Sequence, residues 1–484
     1  MPSPAAADRL MRSLAFLDGA WVAADDGAIL EVRDPATDEI LTNVPNMGAA
    51  ETRRAIAAAE AAMKPWAAKT AGERARVLRR WFDLMMSEQE ALGRLLTREQ
   101  GKSLTEAKGE IAYAASFIEW FAEEGKRTYG DVIPTHDASK RLIAIRQPVG
   151  VVGAITPWNF PAAMITRKVG PALAAGCAVV LKPASQTPLS ALALAVLAEE
   201  AGLPRGLFNV LTGSASDIGG ELTSNPIVRK ISFTGSTEIG RTLMRQSAET
   251  IKKMSLELGG NAPFLVFDDA DIDAAVAGAV ASKFRNGGQT CVCTNRFYVQ
   301  SSVHDEFVAK LAQATAALKV GAGLEDGVQI GPLIDAKAVK KVEEHIADAV
   351  AKGATVVTGG QRHALGGTFF QPTVLSGVRP DMLICKEETF GPVAPVVRFE
   401  TEDEALRLAN ATEFGLAGYF YARDMGRVWR VAEAMETGMI GVNTGLISTE
   451  VAPFGGIKQS GLGREGSSHG IEDYLELKYI CMGL

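Results

Sequence analysis

A cysteine in a glycine-rich segment is the residue whose type and setting point most directly to chemistry. Cys291 ends the run Gly287-Gly288-Gln289-Thr290-Cys291, where small neighbours let a substrate approach the sulfur. A thiol is a nucleophile only to the extent that it is ionised, so such a site needs positive potential or backbone donors. The alternative for any single cysteine is a small buried hydrophobe. We interpret Cys293 as such a small buried hydrophobe. Redox pairing with Cys291 is the alternative, although a disulfide between these two cysteines would be strained.

A carboxylate at the end of a predicted strand is the second candidate. Glu257 is followed closely by Gly259 and Gly260. The carboxyl ends of strands in an open α/β sheet face the crevice where ligands bind, and a glutamate there could act as a general base toward water. A solvated turn residue is the alternative, and the spacing does not decide between them.

The pattern Gly-Ser-Thr-x-x-Gly at residues 235–240 stands where a predicted strand meets a predicted helix. Backbone N–H groups and the helix N-terminus at such a turn can face a phosphate. Ser236 and Thr237 could also cap the helix, and a capped turn without a ligand is the alternative.

A nearby position bears on the choice of cofactor. Lys182 and Ser185 follow an earlier strand, at the position that contacts the adenosine ribose in dinucleotide-binding folds. An acidic residue there favours NAD, whereas a small or basic residue leaves room for a 2′-phosphate. Because residues 181–197 contain no carboxylate, the sequence favours NADP, with NAD possible.

Alternating strands and helices must position these residues. Short apolar runs predict parallel strands at residues 151–155, 178–181, 208–211, 227–233 and 254–258. A second alternating region follows, with helices predicted at 272–284, 303–318 and 336–352. Residues 49–127 have helical spacing and predict a block of surface helices. Residues 140–149 and 474–482 alternate apolar and polar residues and could pair as an edge ribbon between subunits.

Composition excludes several classes of protein. The 484 residues are 47% hydrophobic and 22% charged, which is typical of a folded globular chain. A net charge of -7 without a basic block argues against nucleic-acid binding, and the apolar runs are shorter than the ~20 residues that a membrane helix needs. Residues 1–17 lack the apolar core of a secretory signal, so we expect a cytoplasmic protein. Five scattered cysteines and five scattered histidines predict free thiols and no metal site.

Six motifs, taken in order, resemble those of the aldehyde dehydrogenase superfamily over essentially the whole chain. They are Thr156-Pro157-Trp158-Asn159-Phe160-Pro161, Lys182-Pro183-Ala184-Ser185, the turn at 235–240, Glu257-Leu258-Gly259-Gly260, Gly288-Gln289-Thr290-Cys291 and Glu388-Thr389-Phe390-Gly391-Pro392. Each motif alone is weak, but six in the family's order make coincidence negligible.

The resemblance implies a role for each matching residue. Cys291 is the nucleophile, Asn159 and the Cys291 backbone N–H form the oxyanion hole, and Glu257 activates water. Cofactor contacts are implied for Thr156, Trp158, Lys182, Ser185, Gly235, Ser236, Glu388 and Phe390. Members that prefer NAD usually carry Glu at the position of Ser185, which again favours NADP.

The same resemblance completes the fold prediction. We expect an α/β protein with two doubly wound parallel-sheet domains and a small β-ribbon for oligomerisation. The dinucleotide-binding domain is predicted at residues 1–126 and 146–257, and the catalytic domain at 258–450. The ribbon and C-terminal tail are predicted at 127–145 and 451–484. The resemblance also implies a homodimer or homotetramer.

Four further segments, at residues 165–171, 284–286, 445–448 and 453–467, look like those of succinate-semialdehyde dehydrogenases. The match implies that Arg167, Arg285 and Ser448 bind the distal carboxylate of the substrate; structural ion pairs are the alternative for both arginines. The sequence does not distinguish succinate semialdehyde from glutarate semialdehyde, which is one methylene longer. A broad-specificity aldehyde dehydrogenase, a transfer of the acyl group to coenzyme A and a non-catalytic scaffold remain as alternative functions, although Glu257 favours hydrolysis.

Overall fold

Two large sheets, one of eight strands and one of seven, carry the strand ends on which the candidate residues lie. The structure is a computed structural model and describes residues 9–484. Residues 1–8 lie outside the described residues. They include the start of the first predicted domain and part of the segment in which we expect no secretory signal.

Strands and helices alternate along most of the chain. The strands are β1 (Ala15–Leu17), β2 (Ala20–Val22), β3 (Ile29–Arg33), β4 (Ile40–Pro45), β5 (Asp131–Ile133), β6 (Lys140–Pro148), β7 (Val151–Ile155), β8 (Ala178–Lys182), β9 (Phe208–Val210), β10 (Val228–Thr234), β11 (Lys253–Glu257), β12 (Ala262–Val266), β13 (Thr294–Gln300), β14 (Thr355–Thr358), β15 (Thr373–Ser376), β16 (Val393–Phe399), β17 (Phe414–Gly415), β18 (Ala417–Tyr421), β19 (Met439–Val442), β20 (Ile457–Lys458), β21 (Gly461–Leu462) and β22 (Leu475–Gly483). The α-helices are α1 (Ala49–Ala67), α2 (Ala71–Ser87), α3 (Gln89–Gln100), α4 (Leu104–Glu124), α5 (Ala163–Ala175), α6 (Leu189–Glu200), α7 (Ala215–Ser224), α8 (Thr237–Ser247), α9 (Ile272–Phe284), α10 (His304–Ala316), α11 (Ala336–Ala351), α12 (Leu383–Lys386), α13 (Glu402–Asn410) and α14 (Met425–Ala434).

The first sheet has the order β2-β1-β9-β8-β7-β10-β11-β21, and its five strands from β9 to β11 are parallel. Its central strands are almost fully buried because helices cover both faces, which is why they read as continuous apolar runs. All five predicted strands are present, within one residue at each end. β11 ends at Glu257 because the next amide, that of Leu258, donates to the Ser460 carbonyl instead of continuing the parallel pairing.

The second sheet has the order β14-β15-β16-β13-β12-β18-β19 and is parallel except for β14. The three helices predicted here are α9, α10 and α11; α10 ends two residues before the predicted end. The two parallel sheets with their covering helices confirm the predicted fold class. The proposed domain boundaries stay a prediction.

The predicted ribbon pairs within the chain. β22 runs antiparallel to β6 from Leu475 opposite Pro148 to Gly483 opposite Lys140, and β5 adds a third strand. The predicted helical block consists of α1 to α4, of which α4 packs against α5. No helix within residues 9–484 is both long and apolar enough to cross a membrane.

Candidate active site

Neighbouring strand ends bring the first candidates to one edge of the eight-stranded sheet. β7 ends just before Thr156, whose amide donates to the carbonyl of Lys182 at the end of β8 (3.1 Å). On the other side, the amide of Gly235 donates to the carbonyl of Glu257 at the end of β11 (3.0 Å). Parallel strands therefore place Thr156, Lys182, Gly235 and Glu257 along one crevice.

The loop before Cys291 is held in a conformation that depends on small residues. Asn286, Gly287 and Gly288 all have positive φ angles, at 51°, 63° and 78°. A Cβ at Gly288 would lie 2.2 Å from the carbonyl oxygen of Gly391, so no other residue fits there. A Cβ at Gly260, just beyond β11, would likewise lie 2.5 Å from the Cys291 carbonyl oxygen. The glycines on both loops therefore allow the approach of Cys291 to the end of β11.

Asn159 joins this loop through its side chain and its backbone. The Asn159 Nδ2 donates to the Gln289 carbonyl (3.0 Å), two residues before Cys291. The Asn159 carbonyl accepts hydrogen bonds from Lys102 Nζ (2.8 Å) and Asn286 Nδ2 (3.0 Å). One N–H of the carboxamide is therefore fixed, and the other is left to donate to a ligand near the sulfur.

Burial dominates the protonation of the nucleophile and the base. Burial, with the nearby carboxylate of Glu388, raises the pKa of the Cys291 thiol to about 12, although Arg167 lowers it. Burial, with the carboxylate of Glu465, raises the pKa of Glu257 well above its usual range. The Glu257 Oε2 is buried and has no hydrogen-bond partner among the described residues. The Cys291 side chain is half-buried, and the raised pKa favours its neutral form over the thiolate, so burial and Glu388 outweigh the positive potential expected at the thiol.

The turn at 235–240 has the predicted capping residue. The Ser236 side chain accepts a hydrogen bond from the Ile239 amide (3.4 Å) as the N-cap of α8. Thr237 was also expected to cap this helix, and that expectation is wrong: its hydroxyl donates to the Gln459 carbonyl (3.2 Å), because Thr237 is already the first helical residue. The N-terminus of α8 therefore faces the crevice with Ser236 in place.

Two polar side chains at the neighbouring strand ends have unused hydrogen-bonding capacity. Burial lowers the pKa of Lys182 to about 8, and its ammonium has a long contact of 3.4 Å with the Ser185 hydroxyl. The Thr156 Oγ1 is buried and finds no partner in the described part of the chain. Buried polar atoms of this kind are expected where a polar ligand completes the bonding.

Glu388, Trp158 and Phe390 meet on the opposite side of the crevice. The rings of Trp158 and Phe390 are 5.6 Å apart and nearly perpendicular. Glu388 Oε1 accepts a hydrogen bond from the Gly260 amide (3.2 Å), and burial raises the pKa of this carboxyl to about 7. Glu388 thus lies beside the loop that follows β11, and its charge reaches the Cys291 thiol.

The two predicted substrate arginines have different surroundings. Arg167 is buried, forms an ion pair with Glu465 (Nε to Oε2, 2.7 Å) and lies over the Phe454 ring, whose centroid is 3.8 Å from Cζ. The Arg285 Cζ lies 4.9 Å from the Phe160 ring centroid, and within residues 9–484 no carboxylate oxygen comes within 4.0 Å of its nitrogens. Of the two arginines, Arg285 is therefore the one without an ion pair in the described part of the chain, although its charge lowers the pKa of the Glu106 carboxyl.

A cavity of about 660 Å³ opens next to Arg285. Its lining includes Ser448, Tyr113, Phe160 and Asn286, so it adjoins both the Asn159 segment and the loop that leads to Cys291. The predicted residues Arg285 and Ser448 thus line the same cavity, whereas Arg167 and Cys291 do not line it.

Sequence reasoning gave no role to several buried charges around the site. Lys168 forms an ion pair with Glu465, and Lys102 forms one with Glu110. Glu110 was the more detectable of the two acids, since it lies on the apolar stripe of α4 next to Ile111. Glu465 lies in a glycine-rich turn, where no periodicity indicates burial.

Comparison with known proteins decides the family. A model described as the aldehyde dehydrogenase family matches residues 21–480. The chain belongs to the aldehyde dehydrogenase family. The resemblance inferred from the six motifs is thereby confirmed.

Three similar proteins within the aldehyde dehydrogenase family narrow the comparison. The chain is 69% identical to a glutarate-semialdehyde dehydrogenase of Pseudomonas aeruginosa, with 98% of each chain covered. It is 67% identical, with the same coverage, to the NADP(+) succinate-semialdehyde dehydrogenase GabD of Escherichia coli. A crystal structure of succinate-semialdehyde dehydrogenase from Burkholderia pseudomallei is 66% identical, covers 100% of both chains and has a TM-score of 0.98.

Proposed function

We propose that this enzyme oxidises a short aldehyde with a distal carboxylate, succinate or glutarate semialdehyde, and transfers hydride to NADP. The free guanidinium of Arg285 beside Ser448 in the cavity carries this proposal, because a distal carboxylate needs a cationic donor. The relatives named above, one for each of the two substrates, support it. Discrimination between substrates that differ by one methylene is typically worth only about 1 to 3 kcal/mol, so the proposal covers both.

The residues at the crevice fit the proposed cofactor. The unpartnered Thr156 hydroxyl, the Lys182 ammonium and the capped start of α8 are hydrogen-bond donors suited to phosphate and ribose oxygens. Ser185 in place of an acid also lines a second cavity of about 770 Å³, which leaves room for a 2′-phosphate. Glu388 and Phe390 would hold the nicotinamide end. When bound, NADP supplies the acceptor for the hydride.

The chain's own groups account for the remaining steps. The Cys291 thiol is neutral at rest, so it must lose its proton as it attacks the aldehyde carbon, and Glu257 with its raised pKa can take that proton. Asn159 Nδ2 and the Cys291 amide donate to the alkoxide that forms; one such donor is typically worth about 3 to 4 kcal/mol. Loss of hydride leaves a thioester on Cys291. Once Glu257 has released the Cys291 proton to solvent, it takes a proton from water, which attacks the thioester. The carboxylic acid is released as the C–S bond breaks, and the Cys291 sulfur regains a proton from Glu257.

The deciding experiment compares succinate semialdehyde with butyraldehyde, a neutral aldehyde of the same chain length, using NADP and NAD side by side. We expect kcat/KM to be at least about tenfold higher for the semialdehyde, in line with one charged hydrogen bond, and higher with NADP. Equal values for both aldehydes would favour the broad-specificity alternative. Absence of a burst of reduced nicotinamide in stopped flow, with Cys291→Ser as the matched control, would favour the non-catalytic scaffold.

We also propose that the enzyme is a homodimer or homotetramer that assembles through the β5-β6-β22 sheet. Leu477 and Tyr479, which share one face of β22, are 65% and 60% exposed. Apolar side chains at that exposure on one face of a strand are typical of a surface that another chain covers. Light scattering checks this assembly, with Leu477→Glu as the variant expected to weaken it.

All five cysteines are free, which supports the expected cytoplasmic location.

A further inference from the structure

The start of α4 places three ionisable side chains against the catalytic segments. Lys102 precedes the helix, and Glu106 and Glu110 follow one turn apart on one face. The side chains of Lys102 and Glu110 are fully buried, and their ion pair has a Lys102 Nζ to Glu110 Oε2 distance of 2.6 Å. The proposed mechanism gives neither residue a role.

The ion pair contacts both ends of the segment that contains Asn159. Lys102 Nζ donates to the Asn159 carbonyl (2.8 Å) and lies 3.7 Å from the centroid of the Phe160 ring. Glu110 Oε1 accepts hydrogen bonds from the amides of Ala162 (2.9 Å) and Ala163 (3.3 Å), where α5 begins. One buried pair therefore fixes the backbone on either side of Phe160.

The same helix also holds the loop that leads to the nucleophile. Glu106 Oε1 accepts the backbone amide of Asn286 (2.8 Å). The Asn286 side chain in turn donates to the Asn159 carbonyl (3.0 Å) and to the Gln289 carbonyl (3.3 Å). Lys102 and Asn286 thus bond the same carbonyl oxygen from two elements, and the Asn159 carboxamide is placed relative to Cys291 by both.

Stability alone does not explain the buried pair. Replacing such a pair with apolar residues is often neutral or stabilising, because desolvation cancels much of the attraction. A catalytic donor, in contrast, must be held within about 0.5 Å of its productive position. We infer that Lys102 and Glu110 are positioning residues that aim the Asn159 carboxamide at the alkoxide formed on Cys291. This inference rests on the proposed function, in which Asn159 is an oxyanion donor.

The test uses Lys102→Met and Glu110→Gln, with Lys230→Met as a control at another fully buried lysine that contacts Ser255 instead. We expect kcat for succinate semialdehyde to fall about 10- to 100-fold in the first two variants, by analogy with loss of an oxyanion donor. The KM, the dissociation constant of NADP and the rate of Cys291 alkylation by iodoacetamide should stay within about threefold, since none of them depends on that donor. A fall in kcat together with a rise in KM and in the dissociation constant of NADP and a changed alkylation rate would indicate a structural role and overturn the inference.

A double-mutant cycle identifies the route of the effect. If Lys102 acts through Asn159, the variant Asn159→Ala/Lys102→Met should be no slower than Asn159→Ala alone. Additive losses would overturn the inference. Should Lys102→Met fold poorly because Glu110 is left unpaired, the variant Lys102→Met/Glu110→Gln removes both charges and must show the same loss of kcat.

The outcomes also separate this inference from the proposed function. A parental enzyme that does not oxidise the semialdehyde, or an Asn159→Ala variant with full activity, contradicts the proposed function. An active parent that loses activity in Asn159→Ala but keeps it in both Lys102→Met and Glu110→Gln contradicts only the positioning role.

Discussion

Arg167 and Arg285 were expected to do the same work, and the structure gives them different partners. Arg167 is buried between Glu465 and the Phe454 ring, so its charge is already neutralised within the protein. Arg285 lies on the Phe160 ring at the wall of the cavity, and no ion pair involves it among residues 9–484. This difference supports the proposal that Arg285 binds the distal carboxylate, whereas the Arg167 guanidinium already has a carboxylate partner.

The Glu465 cluster explains what Arg167 does instead. Arg167 and Lys168 both form ion pairs with Glu465, so three buried groups carry one net positive charge. Arg167 lowers the pKa of Cys291 and of Glu257. Glu465 has the opposite effect and raises the pKa of Glu257. Arg167 therefore influences the pKa values of Cys291 and Glu257 electrostatically, even though its guanidinium is paired with the Glu465 carboxylate.

The largest expected effect is on stability. Arg167→Met leaves Glu465 with Lys168 as its only cation, and loss of one partner of a buried pair costs about 3 to 5 kcal/mol in the free energy of unfolding. Urea unfolding measures this loss, with Arg285→Met as the control that should stay within about 1 kcal/mol of the parent because it breaks no ion pair. Equal destabilisation by both substitutions would contradict the distinction between the two arginines.

The second expected effect is on specificity. Arg285→Met should lower kcat/KM for succinate semialdehyde by about 10- to 100-fold, because a hydrogen bond to a charged group is worth about 1.5 to 3 kcal/mol. The value for butyraldehyde should change by less than about threefold, since that substrate has no carboxylate. If kcat/KM falls equally for both aldehydes, Arg285 serves the fold or the chemistry and not recognition.

The smallest expected effect is on the acid dependence of stability. Although burial raises the pKa of Glu465, Lys168 and Arg167 outweigh it and lower that pKa in the folded protein. A carboxyl with a lowered pKa contributes stability above its unfolded value of about 4.3, and this stability is lost as the pH falls through the folded pKa.

In Arg167→Met the pKa of Glu465 should be lowered less than in the parent. The free energy of unfolding that is lost below pH about 4.3 should therefore be smaller than in the parent, by about 1 kcal/mol. Urea unfolding at pH 6 and at pH 3 measures this loss, and Arg285→Met should show the parental loss. A steeper acid loss in Arg167→Met would contradict the assignment of the lowered pKa to this pair.

The sequence predicted the five parallel strands of the first sheet because each of them is a short apolar run between helix-length segments, but it did not predict β1, β2 and β21. It also predicted that Glu257 ends a strand, since two glycines follow closely. It did not predict which charges are buried together. Glu465 and Arg167 are almost 300 positions apart, and their contact is a property of the folded chain. The neutral state of Cys291 was missed for the same reason, because burial and Glu388 set its pKa.

The hydrogen bond from the Asn286 amide to Glu106 has a practical consequence for altering the substrate range. Glu106 is also part of the cavity wall, so a substitution that widens the cavity on this side would release the loop that carries the nucleophile. The cavity is also lined by the aliphatic side chains of Val280, Ala281, Leu318 and Val328, which have no hydrogen-bonding groups to hold that loop. Engineering for bulkier aldehydes should therefore begin at these aliphatic residues and leave Glu106 intact.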